Sequence, residues 1–257
     1  MISAKPAPLA LAALLLAAPA AHGAPAPDEI AKKALESTMF STTDAQATLD
    51  LEVMKDGQAL RKRRLTAWVK RASGGSRSYI EFSAPAEVAG TKFLSMEEGG
   101  ETKQFIYLPA FKKVKRIVGA QKSQSFVGTD FSYADLEGRD VKLWTWKSLP
   151  EDKIQGEDTF VIEGTSIAPD SVYDRLKVWV HKERYIPLKT ELFAPGKASP
   201  DKRLVVNKLG KHEDRWVTLD STMESPEKGT STRLLVVALD TKSPIPDGKF
   251  SKEALER

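Results

Sequence analysis

From Asp44 onward the sequence is written in period two. In "DAQATLDLEVMKDGQ" the residues Ala45, Ala47, Leu49, Leu51 and Val53 fall on one side and Gln46, Thr48, Asp50 and Glu52 on the other. That pattern is a half-buried strand, and "KDG" is the turn chemistry of a hairpin. The grammar then repeats. A second strand runs to about Lys70, "SGG" reverses the chain and "RSYIEFS" returns. Further strands read at short intervals to the C-terminus, among them residues 103–108, 114–118, 141–146, 175–181 and 232–239. Strand follows strand without an intervening helix, so the expected fold is mainly β. It is an antiparallel meander of roughly 11 strands, interrupted by a few short helices.

The helices are few. "DEIAKKALESTMF", Asp28 to Phe40, reads as one: Asp28 stands where a cap would stand, and Ile30, Ala34, Leu35 and Met39 share a stripe. Short helical turns are expected at Tyr133 to Leu136 and at "SKEALE" near the C-terminus. Several strands are apolar on both faces. Phe105 and Tyr107 oppose Ile106 and Leu108, and Leu234 and Val236 oppose Leu235 and Val237. Part of the sheet is therefore covered on both sides. So little helix under so long a sheet leaves either a closed barrel or an incompletely filled apolar concavity, which is where ligands bind.

Residues 1–23 read as a signal peptide. Lys5 precedes the apolar run Leu9 to Ala18, which is too short to span a bilayer, and Ala21 and Gly23 are small residues at the cleavage-defining positions. Residues 24–257 are expected to form a single domain, exported and soluble. The chain has no cysteine, which removes disulfides, thiol catalysis and cysteine-ligated zinc. Its net charge is +4, and loss of Lys5 takes this to +3 (4 − 1). The basic clusters "RKRR" (Arg61 to Arg64) and "KKVKR" (Lys112 to Arg116) read as solvated strand edges or as contacts for anionic lipid or an acidic protein face. Nucleic acid is not an expected partner.

Chemistry is hard to find. His22 falls in the signal segment, and His181 and His212 stand alone in no metal spacing, so both read as surface residues. There is no GxSxG, GxGxxG or Walker pattern. No catalytic group, metal or cofactor is expected. The tryptophans Trp68, Trp144 and Trp146 read as core, or as part of a cavity wall against acyl chains.

One stretch is unlike the rest. "YLPAFKKVKRI" (Tyr107 to Ile117) is followed by "KSQSFVGTDFSYADLEG" (Lys122 to Gly138). Pro109 ends a strand, Gly128 permits a tight bend, and Asp130 or Ser132 can cap the turn at "YADL". The pair of blocks strongly resembles the exported outer-membrane lipoprotein-sorting, LolA-like family. The matching positions are Tyr107, Leu108, Pro109, Lys112, Lys113, Val114, Arg116 and Ile117, then Ser125, Phe126, Gly128, Asp130, Phe131, Ser132, Tyr133, Asp135 and Leu136. The resemblance extends more loosely over the rest of the chain from the first helix on.

That resemblance implies a strongly curved antiparallel sheet, a half-barrel closed on its concave side by a few short helices and loops, with a hydrophobic cavity between. It implies a monomeric periplasmic carrier for a lipid or an acylated lipoprotein. The carrier would be loaded at an inner-membrane exporter of RND or ABC type and emptied at an outer-membrane acceptor. Phe126, Phe131 and Tyr133 would face the concavity as a flap. Phe105, Tyr107, Trp144, Trp146, Trp68, Leu49 and Leu51 complete the expected lining. Two other readings stay open: a sensor module like that of RseB-type envelope-stress regulators, and an acyl-ester hydrolase. No residue is carried over for the arginine that closes the cavity of LolA.

Overall fold

The computed structural model describes residues 24–37, 44–72, 75–98, 100–138 and 140–257. The expected signal segment, the residues around Met39 expected to continue the first helix and most of the "SGG" turn lie outside them. Thirteen strands, against the roughly 11 expected, form one antiparallel sheet that does not close. They are β1 (Ala45–Lys55), β2 (Gln58–Ala72), β3 (Gly75–Ala84), β4 (Lys92–Glu98), β5 (Glu101–Leu108), β6 (Lys113–Ile117), β7 (Trp144–Ile154), β8 (Glu157–Ser166), β9 (Arg175–His181), β10 (Pro187–Phe193), β11 (Lys202–His212), β12 (Arg215–Ser225) and β13 (Thr230–Asp240).

Every strand neighbours the next in sequence except at one place. The spatial order is β6-β5-β4-β3-β2-β1-β13-β12-β11-β10-β9-β8-β7. The first and last strands therefore pair in the middle of the sheet, Leu51 opposite Leu234. The sequence-adjacent β6 and β7 become its two edges. Register shifts interrupt the β1–β2, β1–β13, β2–β3, β7–β8, β9–β10 and β11–β12 ladders. Each shift adds local bend and twist, and this lets so wide a sheet curl.

The β1 alternation holds without exception, with Ala45, Ala47, Leu49, Leu51 and Val53 all buried. They belong to the inner face, together with Leu65, Ile80, Phe82, Phe93 and Ile106. At the β7 side the inner face continues through Ile162, Leu176, Val178 and Val180, covered by α1 (Pro27–Glu36) through Ile30, Ala31 and Ala34. Helix α1 is shorter than expected and its cap differs. Pro27 occupies the first turn and Ala26 the cap position, so Asp28 sits inside the first turn, where its charge favours the helix dipole. After the helix, Ser37 Oγ lies 2.8 Å from both Ala34 O and Tyr185 O, tying this end to the β9–β10 turn.

The outer face of β2–β6 carries a second layer. Tyr79, Leu94 and Phe105 are buried there under Ile245, Phe250 and Leu255 of the C-terminal segment, which ends in α2 (Lys252–Glu256). Tyr79 donates its hydroxyl to Ala254 O at 3.1 Å, and Lys249 Nζ stands 3.5 Å above the Trp68 ring. This is the two-sided cover that the apolar run of β5 called for, whereas on β13, read the same way, Val237 is 53% exposed.

Candidate functional site: a strap across the inner face

Because β6 and β7 are opposite edges, the connection between them has to cross the molecule. Residues 118–143 do so over the inner face, and the aromatic motif forms the middle of this strap. It is a small hairpin in itself: Phe126 N donates to Phe131 O at 2.7 Å, Tyr133 N to Gln124 O at 3.3 Å, and Ser125 bridges Ser132. Its bend uses two left-handed residues, Val127 (φ 49°) and Gly128 (φ 71°). Glycine takes that conformation freely, whereas a β-branched residue adopts it only when its surroundings impose it.

The rings point inward. Phe126, 2% exposed, packs against Phe93, Phe82 and Tyr133 at centroid distances of 5.2, 5.6 and 5.6 Å. Burial also pushes the Tyr133 hydroxyl above its ordinary pKa. Phe131 is half-buried and touches both inner-face clusters, so one side chain joins the β1–β6 half to the β7–β12 half. The hollow expected from sequence is thus occupied beneath the strap by the protein's own rings. An open cleft of about 690 Å³ remains beside it, bounded by Lys122, Ser125 and Asp130 of the strap, Tyr173, Pro195 and Lys228.

Side chains hold the strap down. Asp130 is buried; its amide donates to Thr232 Oγ1 at 2.9 Å, and its carboxylate accepts from Thr230 and from Thr232 (2.7 Å) on β13. Asp135 accepts from Ser132 N (2.7 Å), Ser132 Oγ (2.8 Å), Tyr173 Oη (2.9 Å) and Lys202 Nζ (2.7 Å). Ser132 therefore heads the turn at Tyr133–Leu136, while Asp130 anchors to β13 and caps nothing in that turn. Gln104 of β5, wholly buried, donates to Tyr133 O at 2.8 Å. Among the described residues no backbone–backbone hydrogen bond joins residues 124–137 to a strand.

The expected lining divides between the faces. Leu49, Leu51, Phe126 and Tyr133 share the inner face, with Phe131 packed against them. Trp144 and Trp146 also lie inward, against the α1 cluster, 6.1 Å apart and tilted by 38°. Trp146 stacks over Gly164 of β8, where a Cβ would come within 2.7 Å of the ring. Trp68, Phe105 and Tyr107 sit on the outer face under the C-terminal segment and cannot line a cavity beneath the strap. The strand expected from Val141 begins only at Trp144; Val141–Leu143 form a 3-10 turn headed by Asp140, whose carboxylate accepts from Lys142 N at 2.9 Å.

Three residues were misread or missed in the sequence. His181 is buried, not a surface residue: Nδ1 accepts from Glu183 N at 3.1 Å, and Nε2 lies 3.1 Å from Glu157 Oε2, so the ring closes a turn. His212 is half-buried, 3.0 Å from Thr241 Oγ1. Arg63 is buried on the inner face beside Gly128, where a Cβ would stand 3.1 Å from Arg63 Nη2 and 3.3 Å from Arg61 Nη1. Its Nε makes no hydrogen bond, and burial, with Arg61 nearby, pulls its pKa down. The signal was its parity with Leu65 and Ala67, hidden inside a basic run. Among the described residues no group of three or more His, Cys, Asp and Glu could hold a metal ion, and no helix is long and apolar enough to cross a membrane.

Comparisons with known proteins agree with this architecture. No curated protein matches the chain. A protein domain described as outer-membrane lipoprotein-sorting, from Vibrio parahaemolyticus, superposes with a TM-score of 0.82 at 29% identity, covering 90% of this chain and 98% of that one. A DUF1329 family protein from Desulfovibrio piger gives 0.82 at 24% identity, covering 90% and 100%. A LolA superfamily protein from Nitrosomonas europaea gives 0.72 at 19%, also covering 90% and 100%. A family model described as "Uncharacterized protein" matches residues 74–257. The chain belongs to that family, and its fold is that of the LolA-like outer-membrane lipoprotein-sorting proteins.

Proposed function

We propose that the protein is a periplasmic carrier that shelters an acyl chain of a lipid or lipoprotein against the inner face of the sheet, in the place the strap rings occupy here. The observation that carries this reading is how the strap is attached. It covers a continuous apolar surface, yet among the described residues its hydrogen bonds to the strands run through side chains, at Asp130, Asp135 and Gln104, and not through backbone rungs. It can lift without breaking a rung of the sheet, whereas a structural plug would gain by joining a ladder.

The energetics suit transport without chemistry. An acyl chain of about fourteen CH₂ groups gains about 11 kcal/mol on burial, before the costs of ordering and of displacing the strap. Loading at an inner-membrane exporter and release toward an outer-membrane acceptor then need only different affinities at the two ends. The likeness to a domain described as lipoprotein-sorting supports this choice of cargo. The N-terminal apolar segment supports the compartment.

Native mass spectrometry of gently purified protein tests the proposal. Bound phospholipid or acylated peptide, displaced by a fluorescent fatty-acyl probe, is the expected result. A chain that is empty as isolated and takes up no acyl probe would leave the strap as a permanent plug and remove the carrier reading.

A further inference from the structure

The other motif element, "PAFKKVKR", is not used by the strap. It forms the β5–β6 hairpin. Pro109–Phe111 make a 3-10 turn closed by Lys112 in the left-handed region, with Lys112 N donating to Pro109 O at 3.1 Å. Phe111 at its tip is 64% exposed, more than any other large apolar side chain among the described residues. Lys112, Lys113, Lys115 and Arg116 are all exposed, and none forms an ion pair among the described residues. Lys115 Nζ stands 5.5 Å from the Phe111 ring centre. The neighbouring β3–β4 turn contributes one exposed carboxylate, Glu87, against these four cations.

Register places this hairpin on a particular rim. The β1–β2 turn, the β5–β6 turn, the start of β7 and the end of β8 all lie at one end of the sheet. Exposed Leu60, Phe111, Leu143 and Ile167 therefore stand at the same end, with Arg61 and Lys62 exposed beside Leu60. Other carboxylates at this end, exposed Asp56, Asp140, Asp170 and Glu227 and half-buried Asp174 and Asp201, belong to other turns. The strap anchors there too, since Thr230, which donates to Asp130, pairs with Lys55 at the β1–β2 turn.

We infer that the Phe111 hairpin docks this rim on an anionic bilayer surface, with the ring among the headgroups and the lysines on lipid phosphates. A lone protruding ring offers too little contiguous apolar area for a protein interface, but a bilayer boundary takes up single rings readily. Unpaired lysines supply attraction over a Debye length, about fivefold in partition for each one near the surface. Docking requires nothing of the cargo site.

The test is co-sedimentation of protein purified from the cell envelope with vesicles of phosphatidylcholine containing about 30 mol% phosphatidylglycerol, at about 0.1 M salt, against phosphatidylcholine alone. Binding to the anionic vesicles only is expected. Lys112→Glu with Lys113→Glu should reduce it more than about twentyfold, and Phe111→Ser about tenfold. Circular dichroism checks that these exposed changes leave the fold intact. Equal binding to both vesicle types, or binding indifferent to all three substitutions, would overturn the inference. So would failure on vesicles with retention on an immobilised acidic peptide, which would assign the hairpin to an acidic protein face. Vesicle binding by protein that takes up no acyl probe would leave docking standing and remove only the carrier reading.

Discussion

Lys202 Nζ lies 2.7 Å from Asp135 Oδ2, and both side chains are buried, 8% and 2% exposed. This ion pair pins the strap to β11 on the half of the sheet remote from the motif rings. A buried pair adds little over an apolar substitute, but removing Lys202 takes the countercharge from a buried carboxylate that keeps its hydrogen bonds from Ser132 and Tyr173. Lys202→Met should therefore lower unfolding free energy by about 3 kcal/mol, the low end for a broken buried pair. Urea denaturation would show this as a lower midpoint at unchanged slope.

Gly128 predicts a second cost, separable by a control. Alanine there would hold a left-handed φ of 71° and set a Cβ 3.1 Å from the Arg63 guanidinium. Gly57 has a similar φ of 79° with open space around it. Gly57→Ala should lose about 1 kcal/mol, the conformational cost alone. Gly128→Ala should lose about 1 kcal/mol more, because an arginine already short of a partner has to move. Equal losses in thermal denaturation would show that Arg63 yields freely.

Much of the fold was legible because burial on one face writes itself into sequence. The β1 run is the clearest case: each inward residue from Ala45 to Val53 is buried, since a slip of one residue would turn the whole set to water. The motif rings Phe126 and Tyr133 were legible too, as aromatics in a glycine-bearing loop. Face was illegible where both faces are covered. Phe105 and Ile106 are equally apolar, and only the C-terminal segment, far off in sequence, decides that Phe105 faces outward. Strand order was equally hidden, because an antiparallel meander reads the same wherever its ends meet. Pairing of β1 with β13 is what turns the 118–143 connection into a strap. Arg63 was masked by its neighbours' charge, and His181 by the ordinary look of a turn.

Acid stability should depend on two aspartates. The Asp240 carboxylate accepts from the Ser243 side chain and from the Lys242 and Ser243 amides, which hold its pKa at about 2. At Asp220 burial acts upward, but hydrogen bonds from Arg233 and Asn207 outweigh it and the pKa is lowered. A folded pKa below the unfolded value of 3.8 contributes stability that is complete above that value and is lost as pH falls through the folded one. Asp240→Asn should therefore be less stable than the parent at neutral pH, and the gap should close between about pH 4 and pH 2. A gap constant across that window in urea titrations would contradict the assignment.

Thr232 offers the sharpest separation between strap and sheet. Its hydroxyl accepts from Asp130 N and donates to Asp130 Oδ2, and the residue is wholly buried. Thr232→Val keeps the shape and removes both bonds, loosening the closed strap by about 1–1.5 kcal/mol. Amides of Asp130 and Tyr133 should then exchange faster, while ladder amides such as that of Leu51 keep their protection. If an acyl chain binds only when the strap is lifted, apparent affinity follows the lifted fraction, so the same substitution should tighten acyl-probe binding about fivefold to tenfold. Faster exchange with unchanged or weaker binding would mean that the strap forms part of the binding surface, not a cover that must leave it.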